Sequence, residues 1–121
     1  MTEQHLVTKG FDGYELLDSG EHMKLERFGA YTLARPDTQA IWKKQKLELW
    51  EKADATFAWK SGKGAWELRT NMPDTWDVPY GTLKFISKLC NFKHTGIFPE
   101  QEPNWAWSKE KISALDKPQV L

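Results

Sequence analysis

The chain has 121 residues, a length that fits one domain, and its 40% hydrophobic and 28% charged content fits a globular protein rather than a disordered one. Seventeen Lys and Arg balance seventeen Asp and Glu, which removes the simplest argument for nucleic-acid binding, a global basic excess. A single cysteine, Cys90, excludes an internal disulfide. No apolar run approaches the ~20 residues of a membrane span and no signal pattern opens the chain, so a reducing cytoplasm is the expected location.

Met1 to Gly10 is polar, and residues 1–13 are read as a flexible N-terminal segment. Residues 14–100 read as a β-rich domain. Tyr14 to Ser19 is strand-like and leads into a Gly20-Glu21-His22 turn. Lys24 to Phe28 alternates apolar and charged residues at period two; Gly29 interrupts, and Tyr31 to Arg35 resumes a strand that Pro36 ends. Thr38 to Trp42 reads as a turn or short helical piece. Lys43 to Lys52 reads as a charged linker or one helical turn, with Lys43, Lys44 and Lys46 a minimal basic run on a solvated face.

The clearest hairpin follows: Thr56 to Trp59, a Ser61-Gly62-Lys63-Gly64 turn, then Ala65 to Arg69. Trp76 to Tyr80 is extended, and Thr82 to Leu89 is another strand in which Ile86 breaks the alternation of Leu83 and Phe85. The expected fold is mostly β (α+β), an antiparallel meander or partial barrel of about six short strands with one C-terminal helix. Residues 101–121 hold that helix, from the spacing of Trp105, Lys109, Ile112 and Leu115, and Pro118 stops it.

Seven tryptophans are many for this length, and an indole needs packing area and a partner for its N–H. Trp59, Lys60, Lys63, Trp66 and Arg69 cluster on the hairpin. Aromatic-plus-basic surfaces stack bases and hold phosphates, although in hairpins the pattern more commonly means one packed and one solvated face. Cys90 and His94 stand four apart, but a strand-to-loop setting does not put them on one face, and a buried inert thiol is the better reading. Histidines at positions 5, 22 and 94 show no metal-ligand spacing, and no catalytic residue is assigned.

The segment His94-Thr95-Gly96-Ile97-Phe98-Pro99-Glu100-Gln101 with Asn104-Trp105, preceded by Leu25-Glu26-Arg27-Phe28-Gly29, resembles the N-terminal region of bacterial class I S-adenosylmethionine-dependent methyltransferases related to the 23S rRNA cytosine-C5 methyltransferases. The resemblance runs from about Tyr14 to Leu121. It implies an accessory domain that precedes a Rossmann-like methyltransferase domain, with Val120-Leu121 opening that domain's first strand and the catalytic residues lying beyond. It further implies that Thr95, Gly96, Phe98 and Gln101, and with them His94, lie near S-adenosylmethionine. The related enzymes carry an Arg shortly after the Gln, where Glu102-Pro103 stands here, so that residue's role does not transfer.

The chemistry of the motif agrees. A Rossmann-like sheet binds its nucleotide outside the strand ends and leaves one face to be covered. Thr95 offers a hydroxyl, Gly96 close backbone approach, Phe98 a lid and Gln101 a two-sided amide. A loop that only orients the following helix is the bland alternative, and a satisfied histidine is the bland reading of His94. The expected function is therefore an accessory domain of a methyltransferase, directed at RNA, possessing one wall of the cofactor site. By itself the chain is expected to bind S-adenosylmethionine weakly and to be inactive. Expected partners are the Rossmann-like domain, rRNA, and a second copy through the uncovered interface. The alternative is a stand-alone β-rich binding module without catalysis.

Overall fold

The computed structural model describes residues 10–90, 95–117 and 119. Position 94, and the strand expected to begin at position 120, lie outside them. Among the described residues seven strands form: β1 (Tyr14–Gly20), β2 (Met23–Phe28), β3 (Tyr31–Pro36), β4 (Ala55–Lys60), β5 (Lys63–Leu68), β6 (Thr75–Tyr80) and β7 (Leu83–Lys88). A short helix, α1 (Leu47–Glu51), lies between β3 and β4; a single 3-10 turn at Pro99–Gln101 runs into α2 (Glu102–Ser113). The mostly-β reading holds, with a five-stranded sheet in the order β1-β2-β3-β4-β5, a separate β6-β7 pair and, among the described residues, no closed barrel.

One pairing departs from a plain meander. β3 and β4 run parallel, with Leu33 opposite Ala55 and Ala34 opposite Thr56. Parallel neighbours need a crossover rather than a hairpin, and residues 37–54 with α1 supply it. Asp54 closes the joint: its carboxylate accepts the Thr32 N–H at 2.8 Å and the Thr70 hydroxyl at 2.9 Å.

The tight turns are those the sequence marked. Glu21 and His22 (φ 51° and 63°) join β1 to β2, and Ser61 and Gly62 (φ 51° and 77°) join β4 to β5. Two left-handed central residues match the twist of the flanking strands. Lys63 and Gly64 thus belong to β5 rather than to the turn.

Ladder parity divides the sheet into two faces. Phe28 and Leu33 point into an aromatic core with Phe11, Trp76, Val78 and Ile97, flanked by Tyr14, Trp66, Tyr80, Phe85 and Trp105. Leu25 and Ala34 point the other way, into a smaller cluster with Ala53 that Leu17, Leu49 and Trp50 cover. A register shift in β1 between Leu16 and Asp18 allows Leu17 and Asp18 both to serve this second face. Phe11 is fully part of the main core, so the packed domain begins before β1.

Three indoles latch elements together. Trp76 donates to the Phe28 carbonyl at 2.8 Å, Trp66 to the Cys90 carbonyl at 2.8 Å, and Trp50 to Asp18 at 2.8 Å. Ile86 does not break the alternation of β7: it is 72% exposed on the outer face, while Phe85 and Ser87 turn inward.

Candidate functional site

The strap that follows β7 is built by alternation. Thr95, Ile97 and Pro99 are buried, whereas Gly96, Phe98 and Glu100 are exposed. The Thr95 carbonyl accepts from the Ser87 hydroxyl at 3.0 Å and from the Lys88 N–H at 3.2 Å, and Ile97 enters the main core. Downstream, Glu102 is buried and accepts the Tyr80 hydroxyl at 3.2 Å. The strap is thereby fastened to β7 at Thr95, to the core at Ile97 and to β6 at Glu102.

This geometry separates the residues that the resemblance brought together. Thr95 is sealed inside, and its hydroxyl has no hydrogen-bond partner among the described residues. Gly96, at φ +84°, has open space where a side chain would stand. Phe98 is 50% exposed, and Gln101 is exposed with its Oε1 accepting from Asn104 Nδ2 at 2.8 Å. Gly96, Phe98 and Gln101 therefore present a bare backbone, a ring and an amide on the outward side. Position 94 lies outside the described residues.

Beside the strap a groove of about 770 Å3 opens over the outer half of β1 and β2, with Pro99 and Glu100 on one wall and Trp42 on another. Its floor is a buried ion pair. Glu26, 1% exposed, receives Arg35 Nε at 2.5 Å, Arg35 Nη2 at 3.1 Å and the Tyr14 hydroxyl at 2.6 Å. Burial, followed by the adjacent Glu26 charge, raises the Tyr14 pKa far above its ordinary value. Tyr14 is then a hydrogen-bond donor and not a base at neutral pH. Three donors on one carboxylate tie β1, β2 and β3 together, so this floor is structural.

The hairpin residues also part company. Trp59 and Trp66 share the face of Phe57, whose ring lies 5.4 Å from each in edge contact. Parity puts Lys60, Lys63 and Arg69 on the opposite face. Lys60 pairs with Glu67 at 2.6 Å, and Arg69 donates to the carbonyls of Ala53 and Lys52 at 2.9 and 2.8 Å. The hairpin thus presents no single aromatic-and-basic surface.

Sequence reasoning gave little weight to the loop after β3. Trp42 is 53% exposed, and its indole N–H is held by the Ser19 carbonyl at 2.9 Å and hydroxyl at 3.0 Å. Asp18 Oδ2 accepts the N–H groups of Gln45 and Lys46, each at 2.9 Å, together with Trp50. Burial opposes ionisation of Asp18, but the donors from Trp50, Lys46 and Gln45 outweigh it and hold the carboxyl at about 2. The signal for this was the Asp18-Ser19-Gly20 run, whose partners lie more than twenty residues away.

The chain is similar to a methyltransferase. The crystal structure of the SAM-dependent methyltransferase from Agrobacterium tumefaciens matches it with a TM-score of 0.81 and 34% sequence identity, over 88% of this chain. The match occupies 34% of that structure's chain, so this domain spans about a third of its length. No family model and no curated protein matches. Among the described residues no helix is long and apolar enough to cross a membrane, and no group of three or more His, Cys, Asp or Glu is placed to hold a metal ion.

Proposed function

We propose that this domain is the N-terminal accessory domain of an S-adenosylmethionine-dependent methyltransferase, acting on RNA, and that its strap covers one side of the cofactor. The reading rests on the 34% identity to a SAM-dependent methyltransferase sustained over 88% of this chain, which matches only a third of the longer protein. Covering falls to the outward residues Gly96, Phe98 and Gln101, while Thr95, Ile97 and Pro99 anchor the strap. S-adenosylmethionine would supply the methyl group from its sulfonium centre. The contribution of this chain is to exclude water and fix the cofactor's position, which lowers the barrier by prepaid orientation. α2 fits the same reading: beyond Trp105 it is exposed on all sides, including Trp107 at 60% and Ile112 at 40%, and Leu115 just past its end is 61% exposed. Such an apolar surface suits a docked domain.

Titration calorimetry tests the proposal in two steps. The 121-residue chain is expected to bind S-adenosylmethionine no more tightly than ~1 mM. In the protein that joins this domain to a Rossmann-like domain, Phe98→Ala and Gln101→Ala are each expected to weaken binding about tenfold, or ~1.4 kcal/mol. Micromolar binding by the isolated chain would contradict the one-wall geometry. Unchanged affinity in both variants of the longer protein would remove the covering role.

A further inference from the structure

The loop from Trp42 to Lys46 combines a fixed aromatic ring with a run of cations, and its backbone is clamped from beneath. Glu21 N–H donates to the Trp42 carbonyl and His22 N–H to the Ala40 carbonyl, both at 2.7 Å. The loop lies so close on β1 that a Cβ on Gly20 would stand 2.6 Å from the Lys44 nitrogen and 2.9 Å from the Trp42 oxygen. With the N–H of Trp42 bound to Ser19, the indole cannot swing freely, and its ring is held toward solvent. Lys44 Nζ sits 4.1 Å from the Trp50 ring centroid, while Lys43 and Lys46 are exposed. None of the three lysines has an ion-pair partner among the described residues, in contrast to Lys60 of the hairpin.

We infer that this loop is a binding surface for single-stranded nucleic acid. A base stacks on Trp42, and neighbouring phosphates meet Lys43, Lys44 and Lys46. Sequence-tolerant recognition of single strands needs these two components, a stacking platform and a basic track. Trp42 lines the groove while Lys43, Lys44 and Lys46 do not, so the ring has a groove side and a lysine side. Phosphates go to the cationic side. A base edge faces the groove, where Asp37 offers a carboxylate acceptor to an amino or imino N–H. A membrane surface is the weaker match, because binding in the interfacial plane relies on a long amphipathic helix and α1 has only five residues. The inference does not depend on methyl transfer. It concerns a surface on the far side of Trp42 from the strap residues proposed to cover the cofactor.

Fluorescence anisotropy with a labelled single-stranded RNA of about twelve nucleotides tests it on the 121-residue chain. The expected result is binding whose log K falls with log salt at a slope of roughly −2, as three neutralised phosphates require. Trp42→Ala is expected to weaken binding at least about fivefold, and the Lys43→Glu/Lys46→Glu double variant, on solvated side chains that leave the fold intact, by about tenfold or more. Trp59→Ala and Lys63→Glu are expected to leave it unchanged. Absence of binding, or loss only in the hairpin variants, would overturn the inference. So would salt-sensitive binding to vesicles of acidic phospholipid that Lys43→Glu/Lys46→Glu abolishes and the RNA fails to compete. S-adenosylmethionine titration of the longer protein reads the cofactor role separately, so one reading can fail without the other.

Discussion

At the scale of single residues, the fold depends on two carboxylates that hold other groups in place. Glu26 lies under the groove with Arg35 and Tyr14, and a buried pair of this kind costs more to break than it contributed in forming. Glu26→Gln is expected to lower stability by ~3–5 kcal/mol, a large share of the ~5–15 kcal/mol typical of a domain, as a drop in urea midpoint. The double substitution Glu26→Leu/Arg35→Met should recover much of that loss, because no charge is then left buried without its partner. Asp18 gives a pH signature. Its carboxyl is held at about 2 against an ordinary 3.8, so the unfolded chain binds the proton more readily. The stability it contributes is complete above pH ~4 and disappears as pH falls toward ~2. Asp18→Asn should flatten that acid limb in denaturation measured across the window, and a limb of unchanged slope would show that the loop is held by other means.

Among the elements, the hairpins were legible and the helix was only half so. Paired positive-φ corners at Glu21-His22 and Ser61-Gly62 follow from local chemistry, and the strands on either side follow from period-two alternation. The spacing of Trp105, Lys109 and Ile112 marks α2, but the helix ends at Ser113, before Leu115 and before Pro118. Only its first turn packs, through Glu102 and Trp105, while Trp107 and Ile112 stay 60% and 40% exposed. Periodicity reports a helix but not what lies against it. Packing also explains a glycine that the sequence presents as part of a turn. Gly64 sits in β5 under Phe57, where an added Cβ would lie 2.2 Å from the ring. Phe57 is buried at 2% exposure and cannot move aside. Gly64→Ala is therefore expected to cost ~1–3 kcal/mol in thermal or urea unfolding, the range for overpacking a filled site. An undiminished melting temperature would mean that the hairpin shifts as a unit.

For the whole molecule, the distribution of surfaces matters more than net charge, which is zero. One face of the sheet closes on an aromatic core and the other on α1, which leaves the strap's outward residues, the Trp42–Lys46 loop and most of α2 facing solvent. The order of amino acids was enough to determine that the chain is mostly β, where its hairpins turn and that an apolar strap precedes a helix, because these depend on neighbours within a few residues. Folding decided the rest. It ran β4 parallel to β3, turned Thr95 inward and Phe98 outward, and split the hairpin's tryptophans from its cations. It also joined Asp18 to a loop more than twenty-five residues away, making a clamped basic surface of what reads in sequence as a linker. Those outcomes rest on ladder register and on contacts between distant segments, and a local pattern carries no information about either.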